Sequence, residues 1–412
     1  MTLIAQVTEE LSRAAGLRVQ TEWAPAIRAV VEKYAEGTGS QSLDAEARRF
    51  LLSEVARHVT VPETYFFRNL AQLTFCAEHA AGVLRHSGSA RIWCAGAATG
   101  EEPYSLAMLL YRSLGAKLGA SIEIRASDLN PEAIEKAQHA LYTAWSFRGA
   151  PSWCFRFFTP EAEARLRLTH PEVRTLVSFR TESCQAAASH EPAQSLDVIS
   201  FRNVAIYLEE AAIQALYIEF SRLLKPGGLL ALGPSDPRPI GSDFELLGHY
   251  DHAPVFVRTQ REPSLAAAPT RPAAAPRPCF RAELARRPLG TAPRSEPPPE
   301  RAVEVVQALA AAAPSDTTAQ RLLGLAHLER NATAEAVAAL RQAVFLDPTD
   351  ALSRYFYALA LHENRDTARA ARQLATVIDD LQLRAADDML ADGSTSALEL
   401  LRSARFLRTQ WQ

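Results

Sequence analysis

The chain has 412 residues, enough for two or three domains, and its formal net charge of −3 excludes a global basic surface for nucleic acid. Five dispersed cysteines without a CxxC pair indicate free thiols in a reducing compartment, and no histidine or cysteine spacing predicts a metal site. The N-terminus has neither a basic nor an apolar leader pattern, and no apolar run approaches membrane-span length. We therefore expect a cytoplasmic protein without direct membrane insertion.

Residues 1–62 are predicted to form an N-terminal helical domain. Apolar side chains recur at helical spacing from Ile27 to Tyr34 and again from Leu43 to Val59. Basic side chains are scattered along both stretches. They form either a solvated face or, in part, a docking surface for an acidic partner helix.

Strand-like and helical runs alternate between residues 90 and 258. The predicted strands are Arg91–Ala95, Ile122–Ser127, Thr175–Phe179, Asp197–Phe201, Leu229–Gly233 and Pro254–Val257, and the predicted helices are Pro103–Leu114, Pro131–His139 and Glu209–Leu224. This alternation predicts an α/β fold, in which helices cover both faces of a parallel sheet. Because the last strand closely follows its predecessor, we expect the two to form an edge hairpin.

The C-terminal third changes composition twice. Residues 259–299 are rich in proline and alanine with few large apolar residues, which predicts a linker. From residue 300 the chain is helical, and Pro314-Ser-Asp316 recurs as Pro348-Thr-Asp350 after 34 residues, the period of TPR repeats. We expect TPR-like helical repeats over 300–412, ending in a capping helix at Ser396–Trp411. A generic helical bundle is the alternative.

Residues 90–102 read as a strand, a turn of small residues and a helix start. Small residues in the turn let a ligand approach the backbone, but the G-x-G-x-x-G spacing of dinucleotide sites is missing. Glu101 and Glu102 follow at the helix N-terminus. They would favour a cationic ligand such as S-adenosylmethionine, or they merely cap the helix.

Two further strand ends carry polar residues. Asp128 ends the second strand, where an acidic residue accepts both ribose hydroxyls of a nucleoside or caps the following helix. Asn203 follows the strand that ends at Phe201 and can hydrogen-bond a cofactor, with Tyr207 four residues later. Lys225-Pro-Gly-Gly228 then makes a turn that is common in class I methyltransferases.

Four motifs together resemble the CheR-type chemoreceptor methyltransferases, in order and spacing, over roughly residues 1–258. They are Thr64–Asn69, Gly100–Ser105, Ala126–Asp128 and Arg202–Tyr207. The resemblance implies a Rossmann-like class I methyltransferase domain at residues 63–258. It also implies protein-glutamate O-methyltransferase activity with S-adenosyl-L-methionine, which leaves S-adenosyl-L-homocysteine as product.

The resemblance assigns roles to individual residues. It implies cofactor contacts from Thr64, Arg68, Glu102, Asp128, Asn203 and Val204, while Arg68 and Tyr207 flank the accepting carboxylate. The family's adenine-reading Asn-Leu pair is replaced here by Ser183 and Cys184, and Pro62 stands where an asparagine is frequent. These departures bear on cofactor affinity and leave the remaining motif residues unchanged.

A glutamate acceptor is already ionised at pH 7, so transfer requires alignment rather than a general base. The implied partners are the cytoplasmic helical region of methyl-accepting chemoreceptors and a protein that binds the TPR module. Two alternatives stay open. One is a catalytically weak scaffold that works through its repeats, and the other is a methyltransferase for another protein or a small molecule.

Overall fold

The computed structural model describes residues 2–38, 42–60, 63–115, 121–162, 165–241, 243–259, 300–385, 388, 390–392 and 397–411. Pro62 and all but the first residue of the predicted linker lie outside these ranges. Among the described residues, no helix combines the length and apolar character needed to cross a lipid bilayer.

The N-terminal region is helical, as the periodicity predicts. Its helices are α1 (Leu3–Ala15), α2 (Ala24–Thr38) and α3 (Ala45–Val59). The Thr2 hydroxyl caps α1, and the Asp44 carboxylate accepts two backbone N–H groups at the start of α3. The first helix ends at Gly16, whose left-handed backbone (φ 67°) reverses the chain. A fourth helix, α4 (Leu70–Ser87), leads into the sheet.

A mixed seven-stranded sheet forms the centre of the molecule. Its strands are β1 (Ala90–Ala95), β2 (Ile122–Asp128), β6 (Val177–Thr181), β7 (Leu196–Phe201), β8 (Leu224–Leu232), β9 (Phe244–Tyr250) and β10 (Ala253–Arg258), in the order β6-β2-β1-β7-β8-β10-β9. The first five in this order run parallel, and β10 is antiparallel to both neighbours. The predicted α/β class with a Rossmann-like sheet is confirmed.

Helices on both faces connect the parallel strands. They are α5 (Glu101–Leu114), α6 (Pro131–His139), α8 (Cys184–Ser189) and α9 (Glu210–Leu223). Every residue of β7 is buried, and Trp93 of β1 is fully enclosed and donates a 2.9 Å hydrogen bond to Ser127. Such all-buried central strands are typical of a sheet that is covered on both faces.

The predicted edge hairpin is wrong in one respect. The strand at Pro254–Val257 exists as β10 and pairs with β8, but it does not lie at the edge. The unpredicted β9 pairs outside it. Its sequence, Phe244–Tyr250, mixes polar and apolar residues because an edge strand is only partly covered, so it carries no clear strand pattern.

A second, three-stranded antiparallel sheet was not predicted. It consists of β3 (Leu141–Thr143), β4 (Phe158–Glu161) and β5 (Arg165–Leu168) in the order β3-β5-β4, and the short helix α7 (Pro171–Arg174) returns the chain to the main sheet. Aromatic packing holds it in place. Phe66 stacks on Phe147 with ring centroids 4.8 Å apart and meets Tyr142 edge-on at the same distance.

Six helices make up the C-terminal region, and each packs against the next in the chain. They are α10 (Glu300–Ala312), α11 (Thr317–Glu329), α12 (Thr333–Leu346), α13 (Ala351–Glu363), α14 (Thr367–Gln382) and α15 (Ala397–Gln410). Gly324 permits close approach, because a Cβ there would lie 2.3 Å from Leu340 Cγ. A buried ion pair joins Arg321 to Asp350, and the arrangement is consistent with a TPR-like module.

The C-terminal helices pack directly on the α/β domain. Val305, Val306 and Leu309 of α10 belong to the same apolar cluster as Phe157 and Phe158 beside the small sheet. The Ser152 hydroxyl donates to the Glu329 carboxylate at the periphery of this contact. We refer to this contact between α10–α11 and residues 152–161 as the docking interface.

Candidate functional site

An open cleft lies where the parallel strands end. All the residues predicted as cofactor-binding or catalytic line it: Thr64, Arg68, Glu102, Asp128, Ser183, Cys184, Asn203, Val204 and Tyr207. They come from five separate segments of the chain. The sheet brings these segments close together because the carboxyl ends of β1, β2 and β7 lie at the same edge. Open α/β sheets bind ligands at this edge.

The loop after β1 forms the floor of the cleft. Gly96 adopts a left-handed backbone (φ 83°), and a Cβ there would lie 2.3 Å from Val204 Cγ2. The amides of Gly96 and Ala97 both donate to the Ser127 carbonyl, at 2.8 and 2.9 Å. Glycine is therefore required at this position, and the loop lies flat against the end of β2.

Asp128 is held rigidly at the end of β2. Its Oδ2 accepts from the Ala98 amide and its Oδ1 from the Asn130 amide, both at 2.9 Å. Burial raises the pKa of Asp128, and the backbone hydrogen bonds from Asn130 and Ala98 oppose that rise. The helix-capping role that the sequence left open belongs to Asn130, whose side chain accepts two amides at the start of α6. The Asp128 carboxylate is thus aimed at the cleft rather than at the helix.

The two glutamates at the start of α5 have different environments. Glu101 is 2% exposed and accepts from the Thr99 and Ser146 hydroxyls at 2.6 and 2.9 Å. Burial raises the pKa of Glu101, which does not line the cleft. Glu102 does line it and pairs with Arg202 at 2.7 Å. The expectation that both carboxylates favour a cation is therefore restricted to Glu102.

Arg202 connects the sheet edge to the segment that precedes α4. Its side chain is 1% exposed, and its Nη2 donates to the Arg68 carbonyl and to Asn69 Oδ1, each at 2.6 Å. The Asn69 backbone is left-handed (φ 54°). Arg202 therefore fixes the backbone that carries Arg68.

Asn203 is positioned by a buried carboxylate. It has a left-handed backbone (φ 58°), and its amide donates to Asp236 Oδ2 at 2.5 Å. The same oxygen accepts from the Gly233 amide at 2.8 Å, and burial raises the pKa of Asp236. Asp236 follows β8 and was not predicted, because nothing local in the sequence links it to Asn203.

Arg68 lies half-buried at the mouth of the cleft. Its Nη1 donates a long 3.5 Å hydrogen bond to the Glu63 carbonyl, and within the described ranges its guanidinium forms no ion pair. Its Cζ lies 5.7 Å from the Tyr65 ring centroid. Arg148, 4.0 Å from the same centroid, takes the Glu63 carboxylate as its own partner. The Arg68 charge is therefore left for an anionic ligand.

Tyr207 lines the same cleft and lies on a short 3-10 turn. Backbone hydrogen bonds from the N-terminal region hold the chain at Tyr207 and just after it. The Arg18 amide donates to the Tyr207 carbonyl at 2.9 Å, and the Glu209 amide donates to the Gly16 carbonyl at 2.8 Å. Leu17 and Leu208 form an isolated antiparallel bridge between these bonds. The N-terminal helices are consequently part of the cleft wall.

Ser183 and Cys184 occupy the end of the cleft beyond Asp128. The Ser183 hydroxyl donates to the Ala14 carbonyl at 3.2 Å and accepts from the Ala186 amide at 3.2 Å, so it caps α8. Burial raises the pKa of the Cys184 thiol to about 12, and the Asp128 charge adds to that rise. Cys184 is therefore a neutral, apolar wall.

Sequence reasoning missed several residues that line the cleft: Ala15, Leu17, Trp23, Val59, Thr60, Leu129 and Gln185. Most belong to the N-terminal helices or to their connections. Their contribution depends on how α1 and α3 pack against the sheet, which helical periodicity does not specify. Gln185 could have been suspected, since it directly follows the Ser183-Cys184 pair.

Residues 62–247 match the family described as CheR methyltransferase, SAM binding domain. The chain is 31% identical over 189 residues to chemotaxis protein methyltransferase 2 of Vibrio cholerae serotype O1, which covers 45% of this chain and 65% of the relative. It is 36% identical over 182 residues to the chemotaxis protein methyltransferase of Escherichia coli K12, which covers 43% of this chain and 62% of the relative.

A third relative extends the match. The probable biofilm formation methyltransferase WspC of Pseudomonas putida is 32% identical over 230 residues, 54% of this chain and 53% of the relative. The chain thus spans between about half and just under two thirds of the length of these curated relatives.

Proposed function

We propose that the chain transfers a methyl group from S-adenosylmethionine to glutamate side chains of chemoreceptor-type proteins, since residues 62–247 match the CheR methyltransferase, SAM binding domain family. The observation that carries the proposal is that Arg68, whose guanidinium forms no ion pair within the described ranges, and Tyr207 line the same cleft as Asp128. A cationic methyl donor and an anionic acceptor can then be held side by side.

The cleft residues fit S-adenosylmethionine. Asp128 keeps acceptor lone pairs for a ribose diol, while its backbone bonds prevent it from turning away. The Arg202–Glu102 pair presents both signs of charge, which suits the zwitterionic amino-acid end of the cofactor. When bound, the cofactor supplies an electrophilic methyl group on a sulfonium.

Arg68 and Tyr207 would orient the acceptor carboxylate. A guanidinium and a phenol hydroxyl can hold one carboxylate oxygen and leave the other free to attack. The free carboxylate oxygen would form an ester bond to the methyl carbon while the carbon–sulfur bond breaks. The electron pair of that carbon–sulfur bond would stay on sulfur, which becomes a thioether. Since the acceptor is already ionised, no residue of the chain has to remove a proton.

A protein acceptor is favoured over a small molecule. Ile206, next to Tyr207, is 39% exposed, and Trp145, which packs 4.3 Å from the Arg148 guanidinium, is 52% exposed. Exposed apolar side chains beside a reactive cleft suit a macromolecular partner. The acceptor in this proposal is the cytoplasmic helical region of a receptor, so the enzyme acts in the cytoplasm.

The C-terminal helices are proposed to regulate the enzyme or to bind a protein partner, because none of the described residues beyond Leu208 lines the cleft. Asp392 lies near Tyr65: its charge contributes to raising the pKa of Tyr65 to about 12, an effect dominated by burial. The C-terminal region therefore comes close to Tyr65, whose ring lies beside Arg68 at the mouth of the cleft.

The test is methyl incorporation from radiolabelled S-adenosylmethionine into purified receptor cytoplasmic fragments from the same cell. We expect label that mild base releases, as it does from carboxyl esters, and that Arg68→Ala abolishes. Base-stable label would indicate another acceptor group. Binding of S-adenosylmethionine without transfer to any receptor fragment would favour the scaffold alternative.

A further inference from the structure

Gln185 is the one cleft-lining side chain, within the part of the chain that the structure describes, whose two terminal polar atoms are both buried and unpaired. Neither its Oε1 nor its Nε2 has a hydrogen-bond partner. A buried polar atom without a hydrogen-bond partner destabilises the folded state, so two such atoms on one residue indicate that a ligand supplies the missing partners.

The surroundings fix the position of this amide. It lies at the start of α8, directly after Cys184, and packs on the backbone of Gly16 at the end of α1. A Cβ at Gly16 would lie 2.4 Å from Gln185 Nε2, so only glycine leaves room for the amide there. The amide therefore cannot move toward α1 to find another partner.

The neighbouring cleft residues indicate which part of a ligand would reach Gln185. Asp128 holds the ribose in the proposed function, and Leu129 and Cys184 line the cleft with it. Both of these are apolar or neutral, so they suit the flat face of a base. The hydroxyl of the neighbouring Ser183 already donates a hydrogen bond to the Ala14 carbonyl and accepts one from the Ala186 amide.

We propose that Gln185 reads the adenine of the cofactor through the edge that carries the 6-amino group. The amide carbonyl accepts from the amino N–H, and the amide N–H donates to the adjacent ring nitrogen. A glutamine side chain makes this bidentate pair with adenine and so discriminates it from a base that lacks the amino group. The inference rests on the proposed function, since it presumes an adenosine cofactor in this cleft.

The experiment is a binding cycle by calorimetry on the full chain. The ligands are S-adenosylhomocysteine and its analogue with hydrogen in place of the 6-amino group, and the proteins are wild type and Gln185→Met, which is similar in length but cannot hydrogen-bond. We expect the wild type to bind the analogue about 5- to 10-fold more weakly, the loss of one hydrogen bond. In Gln185→Met the two ligands should bind equally.

Gln214→Met is the matched control, because Gln214 is partly exposed, does not line the cleft and donates an exposed hydrogen bond to Glu210. It should keep the wild-type ratio. The melting temperature of unliganded Gln185→Met should be equal to or higher than that of wild type, since no protein partner is lost. The same ligand ratio in Gln185→Met and wild type would overturn the inference. Failure of the wild type to bind S-adenosylhomocysteine would instead overturn the cofactor assignment, and this inference with it.

Discussion

The cofactor cleft and the docking interface are built from opposite kinds of surface. In the cleft, polar side chains are fixed by hydrogen bonds to the backbone, as Asp128 is by Ala98 and Asn130. In the docking interface, apolar side chains such as Leu309 and Phe157 are buried with few polar contacts. Substitutions in the cleft should therefore change binding and turnover, while substitutions in the interface should change stability.

The largest effect is expected from Arg68→Ala. Removing the charge that orients the acceptor should lower kcat by about 100-fold or more, as loss of a preorganised electrostatic contact does. The melting temperature should stay near that of wild type, because Arg68 forms no ion pair within the described ranges. Turnover is measured with labelled cofactor on receptor fragments. Arg68→Lys, which keeps the charge but not the planar fork, should recover part of the rate. Near-normal turnover of the alanine variant would contradict the assignment.

Asp128→Ala is expected to weaken S-adenosylmethionine and S-adenosylhomocysteine alike. Both carry the same ribose, and loss of the charge-assisted hydrogen bonds should cost about 2–4 kcal/mol, or roughly 30- to 1,000-fold in Kd. Calorimetry with both ligands measures it, and Asp128→Asn should be less affected because it keeps one acceptor. A selective loss of S-adenosylmethionine would mean that Asp128 contacts the sulfonium instead.

Leu309→Ala should lower the stability of the protein and leave cofactor binding unchanged. The side chain is 1% exposed in the core shared by α10 and the small sheet, so we expect a loss of about 2–4 kcal/mol in the free energy of unfolding. The Kd for S-adenosylhomocysteine should not change. Hydrogen exchange at residues 152–161 should accelerate. In Leu340→Ala, a matched change within the C-terminal helices, those amides should keep wild-type protection. Equal acceleration in both variants would show that the interface is not a separate contact.

The smallest effect concerns Glu329. Burial raises its pKa from 4.5 to about 6, so the folded protein binds a proton that the unfolded chain has released between these values. Stability should therefore decrease slightly as pH rises from 4.5 to 6. Glu329→Gln should remove this slope and raise the melting temperature at pH 7, while Glu304→Gln, an exposed carboxyl of α10, should leave the slope unchanged. A slope that persists in Glu329→Gln would place the proton elsewhere.

The main sheet was largely predictable because its strands are continuous apolar runs between helical periods. The helix at Pro131–His139 was predicted to the residue, and β1 and β2 were predicted within one residue at each end. Asp128 and Asn203 could be found from the sequence because polar residues at the carboxyl ends of parallel strands converge at one edge of the sheet. Thr64, Arg68, Ser183, Cys184 and Val204 came instead from the resemblance to the CheR family. Their individual roles stay predictions.

The docking interface was not predictable, for physical reasons. The aromatic run at 153–158 has no strand or helix period, and β3 has only three residues, too few to show a pattern. The proline-rich composition of residues 259–299 indicated a linker and gave no sign that the following helices pack on the α/β domain. Since α10 shares a core with the α/β domain, removal of the C-terminal helices should expose apolar surface, and Leu309→Ala tests the same contact more mildly.

The bridge between Leu17 and Leu208 also constrains the order of folding. Its two sides are separated by 191 positions, so a ribosome has to complete just over half of the chain before the N-terminal segment can reach its place. Contacts of such long range close late, after local helices have formed. Until then α1 can pack against α2 and α3 but lacks its contact with α8, so the wall that the N-terminal segment gives to the cleft is completed only after the sheet has been synthesised.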